Sequence, residues 1–350
     1  METLLVTGSG GLIGSEAVQY FSQKGFNVIG LDNNQREVFF GASGSVQSTI
    51  DELTKSFENY KHFEIDVRDF KSLEKIFLEN EIHYILHAAA QPSHDLAAKI
   101  PFEDFYTNAV GTLNILECMR THAPKAAFVF MSTNKVYGDA PNNFRLREGR
   151  SRFDFDEINE TGGLSSRGIT EFCTIDQSMH SLFGASKLSA DVLVQEYGRY
   201  FDMNTCVLRG GCLTGASHKA VKLHGYLQYL VSTVARGETY TIIGYKGKQV
   251  RDQIHSSDVV SAVEMYFNHP VKYLVANIGG GKSNSISINE TLDILKENFG
   301  LKYKINNLDQ PRAGDHICYY TDTSRLEKYY PSWKKKYDVN DIISEILDNL

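Results

Sequence analysis

Short apolar runs alternate with amphipathic segments through the first 130 or so residues of the chain. The apolar runs predict strands at residues 4–6, 27–31, 62–65, 84–87 and 127–131. Helical spacing of apolar residues predicts helices at residues 14–24, 72–79 and 102–121. Strands that alternate with helices are typical of a parallel sheet covered on both faces. We therefore predict an α/β fold built on a doubly wound parallel sheet.

The second half of the chain is less regular. Its pattern predicts a helix at residues 184–200, a strand at 205–208 and a helix at 226–235, followed by strands at 240–243 and 275–278 and helices at 288–299 and 339–347. We expect much of this part to form a smaller C-terminal α/β lobe. Three stretches are polar. Residues 35–58 predict a surface loop or short insertion, residues 139–174 a substrate-side loop or lid, and residues 211–223 a further loop.

Three glycines follow the first predicted strand at three-residue spacing. Gly8, Gly11 and Gly14 lie between that strand and the first helix. Glycines at such a turn permit a tight bend, close approach of a pyrophosphate and close packing of helix on strand. The pyrophosphate would then accept hydrogen bonds from amides at the helix N-terminus. The turn predicts a Rossmann-like site for a dinucleotide.

An acidic residue ends the second predicted strand. Asp32 lies 18 residues after Gly14, close to the spacing of the acid that binds the adenosine ribose. A carboxylate repels the 2′-phosphate of NADP, so NAD is favoured as the cofactor. Arg36 keeps NADP open, because a nearby arginine can accommodate that phosphate.

Composition narrows the class of protein. The 350 residues carry 36 basic and 43 acidic side chains, a net charge of −7, without a basic run, so we expect no nucleic-acid partner. Five cysteines stand without a C-x-x-C pair, which indicates neither a disulfide framework nor a metal site. The sequence shows neither a signal peptide nor an apolar run of bilayer length. We expect a cytoplasmic protein that does not bind a membrane.

Two segments carry chemistry at the expected crevice of the sheet. Ser132, Thr133, Asn134 and Lys135 follow the fifth strand, and Lys187 lies in the segment that begins at His180. With the glycine turn, these segments resemble the extended short-chain dehydrogenase/reductase family, whose members mostly act on nucleotide-activated sugars. The resemblance covers nearly the whole chain. It implies that Thr133 and Lys187 are catalytic, with Lys187 also binding the nicotinamide ribose.

The family pattern has a tyrosine four residues before the lysine, but this chain has Phe183 there. Oxidation of an alcohol by hydride transfer requires a base for the hydroxyl proton, and a phenyl ring cannot ionise. His94, Lys135 and His180 are candidate replacements, because each can titrate near neutrality or be shifted there by burial. Tyr137 is a fourth candidate, although the resemblance places it in packing beneath the cofactor. The residues leave the choice among the four open.

The same resemblance assigns further residues to ligands. The cofactor set is Gly8, Gly11, Leu12, Ile13, Gly14, Asp32, Asn33, Asp66, Val67, Ala88, Ala89, Ala90, Asn108, Ser132 and Lys187. The substrate set is Gln91, Ser93, Asn134, Cys212, Arg251 and Arg312, of which the two arginines suit a diphosphate. We expect residues 1–180, with segments returning from the second half, to bind NAD, and residues from about 210 to 350 to form the substrate lobe.

Within the family, residues 132–139, His180–Ser181 and residues 247–252 are most similar to the CDP-paratose 2-epimerases. This similarity implies transient oxidation of a CDP-linked sugar at C2, followed by return of the hydride to the opposite face. It also implies a homodimer formed through helices beside the active site. Two alternatives stay open: a nucleotide-sugar dehydratase or oxidoreductase, and a non-catalytic protein that binds NAD or a sugar nucleotide. Dehydratases of the family carry Asp-Glu where this chain has Asn134 and Lys135, which disfavours dehydration.

Overall fold

The computed structural model describes residues 1–156, 162–215, 225–310 and 314–350. A seven-stranded parallel sheet forms its centre, with strands β1 to β7 numbered in chain order. They are β1 (Thr3–Thr7), β2 (Asn27–Leu31), β3 (Tyr60–Phe63), β4 (Tyr84–His87), β5 (Ala127–Thr133), β6 (Asn204–Gly210) and β7 (Leu274–Ile278). Their order across the sheet is β7-β6-β5-β4-β1-β2-β3, which confirms the predicted doubly wound α/β fold.

The direction of strand order reverses beside β1, and this reversal creates the crevice that holds ligands in such sheets. Thr7 lies opposite Leu31 of β2 on one side and His87 of β4 on the other. The carboxyl ends of the three strands therefore meet at one edge. Loops that follow these strands converge on the same crevice.

Helices cover both faces of the sheet. They are Leu12–Gln23, Gln47–Ser56, Phe70–Glu79, Pro101–Phe105, Gly111–His122, Ser181–Phe201 and Ser256–Asn268, with a π-helical segment at Tyr106–Val110. On one face, Val18 and Phe21 pack with Val263 and Phe267. On the other, Ile115 and Met119 pack with strand residues such as Phe128. None of the helices in the described ranges is both long and apolar enough to cross a bilayer.

A smaller group of elements packs beside the carboxyl edge of the sheet. Its strands are Cys212–Thr214, Val250–His255, Ser285–Ser287 and Cys318–Tyr319 in one sheet, with Thr239–Ile243 and Lys304–Leu308 paired separately. Its helices Tyr226–Ala235, Ile288–Glu297 and Val339–Asp348 share an apolar core. The remaining short elements are Gln35–Phe40, His94–Ala97, Leu146–Glu148, Phe153–Phe155, Leu164–Ser165, Gly168–Ile169 and Ser324–Tyr329.

The structure differs from the prediction in several places. Residues 35–58 contain the helices Gln35–Phe40 and Gln47–Ser56, and the second of them buries Ile50 and Leu53, three residues apart. The strand predicted at 275–278 is present, but it joins the central sheet as β7. The helix Ser256–Asn268 and the strand Val250–His255 were not predicted at all.

The described parts of the polar stretch 139–174 form two hairpins. Phe155, Leu164 and Ile169 from these hairpins are buried with Tyr319 and Tyr320. Aromatic packing thus orders a segment whose composition predicted a lid. Residues 157–161 of that stretch, and residues 216–224 of the predicted loop 211–223, lie outside the described residues.

Candidate active site

One cavity of about 530 Å³ runs from the glycine loop after β1, past the end of β5, to the smaller lobe. It brings together most of the predicted site residues. The residues from the cofactor set are Gly8, Gly11, Leu12, Ile13, Gly14, Asp32, Asn33, Asp66, Val67, Ala88, Ala89, Ala90, Ser132 and Lys187. The further catalytic candidates in the cavity are His94, Thr133 and Lys135, and the residues from the substrate set are Asn134, Cys212 and Arg251.

The glycine loop has the close packing that a dinucleotide turn requires. Gly8 has φ +70°, and a Cβ there would lie 2.8 Å from the Ala89 nitrogen. At Gly14 a Cβ would lie 2.0 Å from the Gly8 carbonyl oxygen, so only glycine fits. Gly11 is the N-cap of the helix Leu12–Gln23, whose first turn contains no acidic side chain. The amides at this N-terminus suit an anionic pyrophosphate.

Asp32 lies at the end of β2 on the adenosine side of the loop. Its Oδ2 accepts a hydrogen bond from the Gly10 amide at 2.9 Å, and its Oδ1 accepts from the Asn34 amide at 2.8 Å. Burial raises the pKa of this carboxyl group, although both amides oppose the shift. Asn33 donates to Asp66 at 2.9 Å, which joins the loops after β2 and β3. The carboxylate is thus fixed where a ribose diol can donate to it.

The reactive end of the cavity lies at the end of β5. Lys187, on the helix Ser181–Phe201, donates from Nζ to the Met131 carbonyl oxygen at 2.8 Å. Burial lowers the pKa of Lys187 to about 7, although Asp191 and Asp104 favour the charged form. Thr133 Oγ1 accepts from the Lys135 amide at 3.2 Å. Phe183 occupies the cavity wall one helical turn before Lys187.

A charged cluster lies between this end and the smaller lobe. Asp315 Oδ1 pairs with Arg251 Nη2 at 2.6 Å and with Lys135 Nζ at 3.5 Å. Burial alone would raise the pKa of Asp315, but the two cations hold it well below its usual range. Burial lowers the pKa of Lys135 to about 8, although Asp315 favours its charged form. Two cations around one anion leave a net positive charge, which suits a diphosphate.

Four predicted site residues do not line the cavity, and the prediction of direct ligand contact is corrected for them. Asn108 accepts from the Gln91 amide at 2.9 Å and donates to Ser186 Oγ at 3.0 Å. Gln91 donates to Asp104 at 2.7 Å, and the Ser93 amide donates to Gln91. His180 Nδ1 donates to the Ser178 carbonyl oxygen at 2.8 Å. The side chains of Asn108 and Gln91 are thus held in a buried network behind the cavity wall, and His180 is bonded within its own loop. Arg312 lies outside the described residues.

The sequence interpretation missed several polar cavity residues in the smaller lobe, among them two glutamines. Gln249 and Gln253 flank Arg251 at two-residue spacing around the strand Val250–His255, and all three line the cavity. Alternate residues of a strand share one face, so this spacing was a usable signal. The amide oxygens of both glutamines are buried and have no hydrogen-bond partner among the described residues.

Cys212 lines the cavity near the charged cluster, and burial raises the pKa of its thiol to about 11. A thiol with such a pKa is protonated near neutrality and is a weak nucleophile. Across the described ranges, His, Cys, Asp and Glu side chains form no cluster that could hold a metal ion.

Comparison with known proteins agrees with this geometry. The CDP-paratose 2-epimerase of Salmonella typhi is 27% identical over 99% of this chain and 98% of its own length. The UDP-glucuronate 4-epimerase of Thermodesulfobacterium geofontis is 25% identical over 96% of this chain and 92% of its own length.

Among solved structures, UDP-glucuronic acid 4-epimerase from Bacillus cereus in complex with UDP-glucuronic acid and NAD has a similar fold. The TM-score is 0.80 at 21% identity, covering 99% of this chain and 98% of that one.

The family model described as NAD dependent epimerase/dehydratase matches residues 4–279. This match agrees with the dinucleotide geometry of the glycine loop and of Asp32, and it confirms the prediction of NAD as the cofactor. On the strength of the match, the chain belongs to the NAD-dependent epimerase/dehydratase family, within the extended short-chain dehydrogenases/reductases.

Proposed function

We propose that this protein is an epimerase of a nucleotide-diphosphate sugar, and that its substrate is a CDP-linked sugar inverted at C2. The observation that carries the proposal is the continuity of the cavity. It joins the glycine loop, the Thr133 and Lys187 pair, and the Arg251 cluster in one space. A sugar between the pair and the cluster would have its diphosphate at Arg251 and a hydroxyl at Thr133.

NAD, when bound, supplies a hydride acceptor that also returns the hydride. Gly8, Gly11 and Asp32 would hold its pyrophosphate and adenosine ribose, and Lys187 its nicotinamide ribose. Thr133 Oγ1 would hydrogen-bond the reacting hydroxyl. The buried ammonium of Lys187 also favours negative charge on the sugar oxygen as the proton leaves. Transient oxidation followed by reduction inverts the carbon with no net redox change.

The glutamines support cytidine as the nucleoside. Gln249 Nε2 donates to the Ile243 carbonyl oxygen at 3.1 Å, which fixes the amide so that its oxygen is the unpartnered atom. Leaving a buried acceptor without a donor costs about 1–3 kcal/mol. Cytosine carries an amino donor where thymine and uracil carry a carbonyl acceptor. Ribose hydroxyls could satisfy the second oxygen, on Gln253. The similarity to a CDP-paratose 2-epimerase supports the same choice.

Epimerisation is favoured over dehydration by the residues after β5. Elimination of water needs an acid and a base near the sugar. In this chain Asn134 and Lys135 follow Thr133, and Asn134 is a buried neutral amide. A carboxylate pair is therefore missing where family dehydratases carry one.

The test is incubation of the purified protein with CDP-, UDP-, dTDP- and GDP-linked sugars in deuterated water. We expect inversion at C2 of a CDP-sugar, no accumulated reduced cofactor, and no deuterium at the inverted carbon, because the hydride returns directly. Loss of water from the sugar would establish a dehydratase, and accumulation of reduced cofactor an oxidoreductase. Tight NAD binding with every sugar recovered unchanged would establish a non-catalytic binding protein.

We also propose a homodimer formed through the helices beside the active site. Several apolar side chains are exposed on neighbouring outer helices. Among them are Phe102 on Pro101–Phe105 (73% exposed), Tyr106 on the π-helical segment Tyr106–Val110 (46%), and Val192 and Tyr200 on Ser181–Phe201 (40% and 82%). Apolar side chains exposed on neighbouring helices mark interaction surfaces. Light scattering should give a dimer mass, and Tyr200→Glu should shift it toward the monomer. A monomer at all concentrations would contradict the proposal.

A further inference from the structure

Position 183 leaves the proposed reaction without its usual proton acceptor. Phe183 lines the cavity one helical turn before Lys187, and its phenyl group cannot take a proton. Removal of a hydride from a sugar carbon leaves the hydroxyl proton to be taken by another group. Under the proposed function Thr133 would hold the reacting hydroxyl, so a titratable group that packs on Phe183 is placed to take its proton.

His94 is the titratable side chain that packs directly on Phe183. Their ring centroids are 4.9 Å apart with an angle of 56° between the planes, and both residues line the cavity. His94 begins the helix His94–Ala97, where Ser93 Oγ accepts from the Leu96 amide. The ring therefore projects from a capped turn at the carboxyl edge of the sheet, next to the position of the missing phenol.

Ser181 holds the His94 ring in place. The distance from His94 Nδ1 to Ser181 Oγ is 2.9 Å. Ser181 has φ +61°, in the left-handed region that costs a non-glycine residue about 1–3 kcal/mol. In this conformation its Oγ also accepts from the Gly184 amide at 3.2 Å. The same strained serine thus bonds the Gly184 amide in the first turn of the helix Ser181–Phe201 and the imidazole of His94.

The hydrogen bond to Ser181 can select the tautomer of His94. A serine oxygen has two lone pairs, so it can accept from the Gly184 amide and from Nδ1–H together. Donation from Nδ1–H leaves the lone pair of the ring on Nε2. An imidazole in this tautomer is a base at Nε2, and its charged form keeps the bond to Ser181.

The other titratable candidates are directed elsewhere. Lys135 Nζ donates to the Gly314 carbonyl oxygen at 3.0 Å and pairs with Asp315, on the side of the cavity where Arg251 lies. His180 is bonded to Ser178 and does not line the cavity. Lys187 donates to Met131 and lies 4.1 Å from the centre of the Phe130 ring. Of these groups, only His94 contacts Phe183 through its ring.

We propose that His94, oriented by Ser181, is the general acid/base that replaces the missing phenol, an inference that rests on the proposed function. In the forward half-reaction the carbinol C–H bond breaks and its hydride passes to the nicotinamide. The hydroxyl proton passes to His94 Nε2, and the C–O bond becomes a ketone. In the return half-reaction the hydride adds to the opposite face, and Nε2–H gives its proton back to the oxygen. His94 is a catalytic residue in this scheme, and Ser181 is a positioning residue.

The decisive experiment exchanges the two groups. His94→Gln should lower kcat by about a hundredfold or more, the usual contribution of general acid/base catalysis, with bound NAD per subunit unchanged. Adding Phe183→Tyr to His94→Gln should recover about tenfold or more of the lost rate, because the phenol then supplies the proton acceptor. His122→Gln, at the end of the helix Gly111–His122 where His122 pairs with Glu74, is the matched control and should keep the wild-type kcat.

Ser181 is tested by removing its hydroxyl, which takes away both the bond to His94 and the acceptor for the Gly184 amide. Ser181→Gly accepts the left-handed backbone without a side-chain oxygen, whereas Ser181→Asn tolerates this backbone and keeps an acceptor oxygen. We expect Ser181→Gly to lower kcat with little change in KM, and Ser181→Asn to recover part of the rate. Nitrogen-15 NMR of labelled histidine in the NAD-loaded protein should show the Nδ1–H tautomer for the signal that His94→Gln removes.

The outcomes separate this inference from the proposed function. Wild-type protein that epimerises none of the nucleotide sugars would defeat the proposed function, whatever the histidine spectra show. Wild-type turnover that survives His94→Gln unchanged would overturn the role of His94. A His94→Gln loss that Phe183→Tyr does not restore, together with an Nε2–H tautomer, would also overturn it. Loss of NAD from His94→Gln would mean that the residue supports the cofactor site instead.

Discussion

Arg209 and Asp191 form a two-pronged ion pair inside the protein, with Nε–Oδ2 at 3.0 Å and Nη2–Oδ1 at 2.9 Å. The same Oδ2 accepts from Ser132 Oγ at 2.6 Å. Asp191 lies one helical turn after Lys187, so the pair connects β6, the end of β5 and the helix that carries the lysine. The catalytic end of the cavity is therefore braced by a charge pair that is almost completely buried.

Removing the acid of this pair should strongly destabilise the fold. Asp191→Ala leaves the Arg209 guanidinium buried without its counter-charge, which costs about 3–5 kcal/mol. Urea unfolding should show this loss of unfolding free energy. Glu196→Ala, which breaks an exposed pair with Arg199 on the same helix, is the control and should change stability by less than about 1 kcal/mol. Equal effects of the two variants would show that the buried pair contributes no more than a surface pair.

Two glycines of the first loop should separate stability from cofactor binding. Gly14→Ala places a Cβ 2.0 Å from the Gly8 carbonyl oxygen, so we expect lower thermal stability and loss of NAD. Gly11→Ala places its Cβ 3.3 Å from the same oxygen, so thermal stability should change little. The added methyl group crowds the cavity side of the loop, so the amount of bound NAD should fall. Thermal unfolding and the NAD released on denaturation measure both effects. Full NAD content in both variants would contradict the assignment of this loop.

Binding of the nucleotide sugar should weaken as the pH rises through about 8. Burial lowers the pKa of Lys135 to about 8, so its positive charge is present below this pH and lost above it. Asp315 stays ionised and Arg251 stays charged, so the net charge of the cluster falls by one. KM should rise about threefold to tenfold across the step, since a charge-assisted hydrogen bond is lost.

The control for this step is Lys135→Met, which should have a raised KM at every pH and no step near 8. A step that persists in the variant would assign the titration to another group.

The lowered pKa of Lys135 also makes the stability of the fold depend on pH. Between about 8 and the ordinary lysine value of 10.5 the unfolded chain holds the proton that the folded chain has lost, so raising the pH stabilises the fold.

Gln249 should control the choice of nucleobase. Gln249→Met removes the unpartnered amide oxygen but keeps the volume of the side chain, so CDP should lose affinity by about tenfold while UDP changes little. Isothermal titration with the two nucleotides measures both. The control is Gln253→Met, which we expect to weaken CDP and UDP equally if its oxygen accepts from ribose. An unchanged ratio of affinities in Gln249→Met would remove the support for cytidine.

The sequence predicted the cofactor half of the molecule well, because short-range rules govern it. The strand, glycine turn and helix around Gly14 follow from local sterics, and the acid at position 32 follows from a fixed spacing. The family match confirms both the fold class and NAD. Apolar runs and period-3.6 patterns likewise located most strands of the central sheet and most helices that cover it.

Local sequence patterns could not predict the part of the cavity that lies beyond the nicotinamide end. Asp315 meets Arg251 and Lys135 across 64 and 180 residues of chain, and no local pattern encodes those contacts. Gln91, Ser93 and Asn108 were predicted to meet ligands because their positions fit the family, but hydrogen bonds to protein neighbours take up their side chains. Composition also misled for residues 35–58, where two buried apolar positions outweigh a polar majority.

Strands β6 and β7 enter the central sheet from the second half of the chain, and the helix Ser256–Asn268 packs on the helix that follows the glycine loop. A gene fragment ending near residue 180 would leave β5 as a bare edge, with its backbone ready to pair with other chains. Such a fragment should aggregate when expressed. Synthesis must therefore pass residue 268 before the helix that supports the nucleotide loop is complete. Binding of the cofactor is accordingly a late step in the folding of this chain.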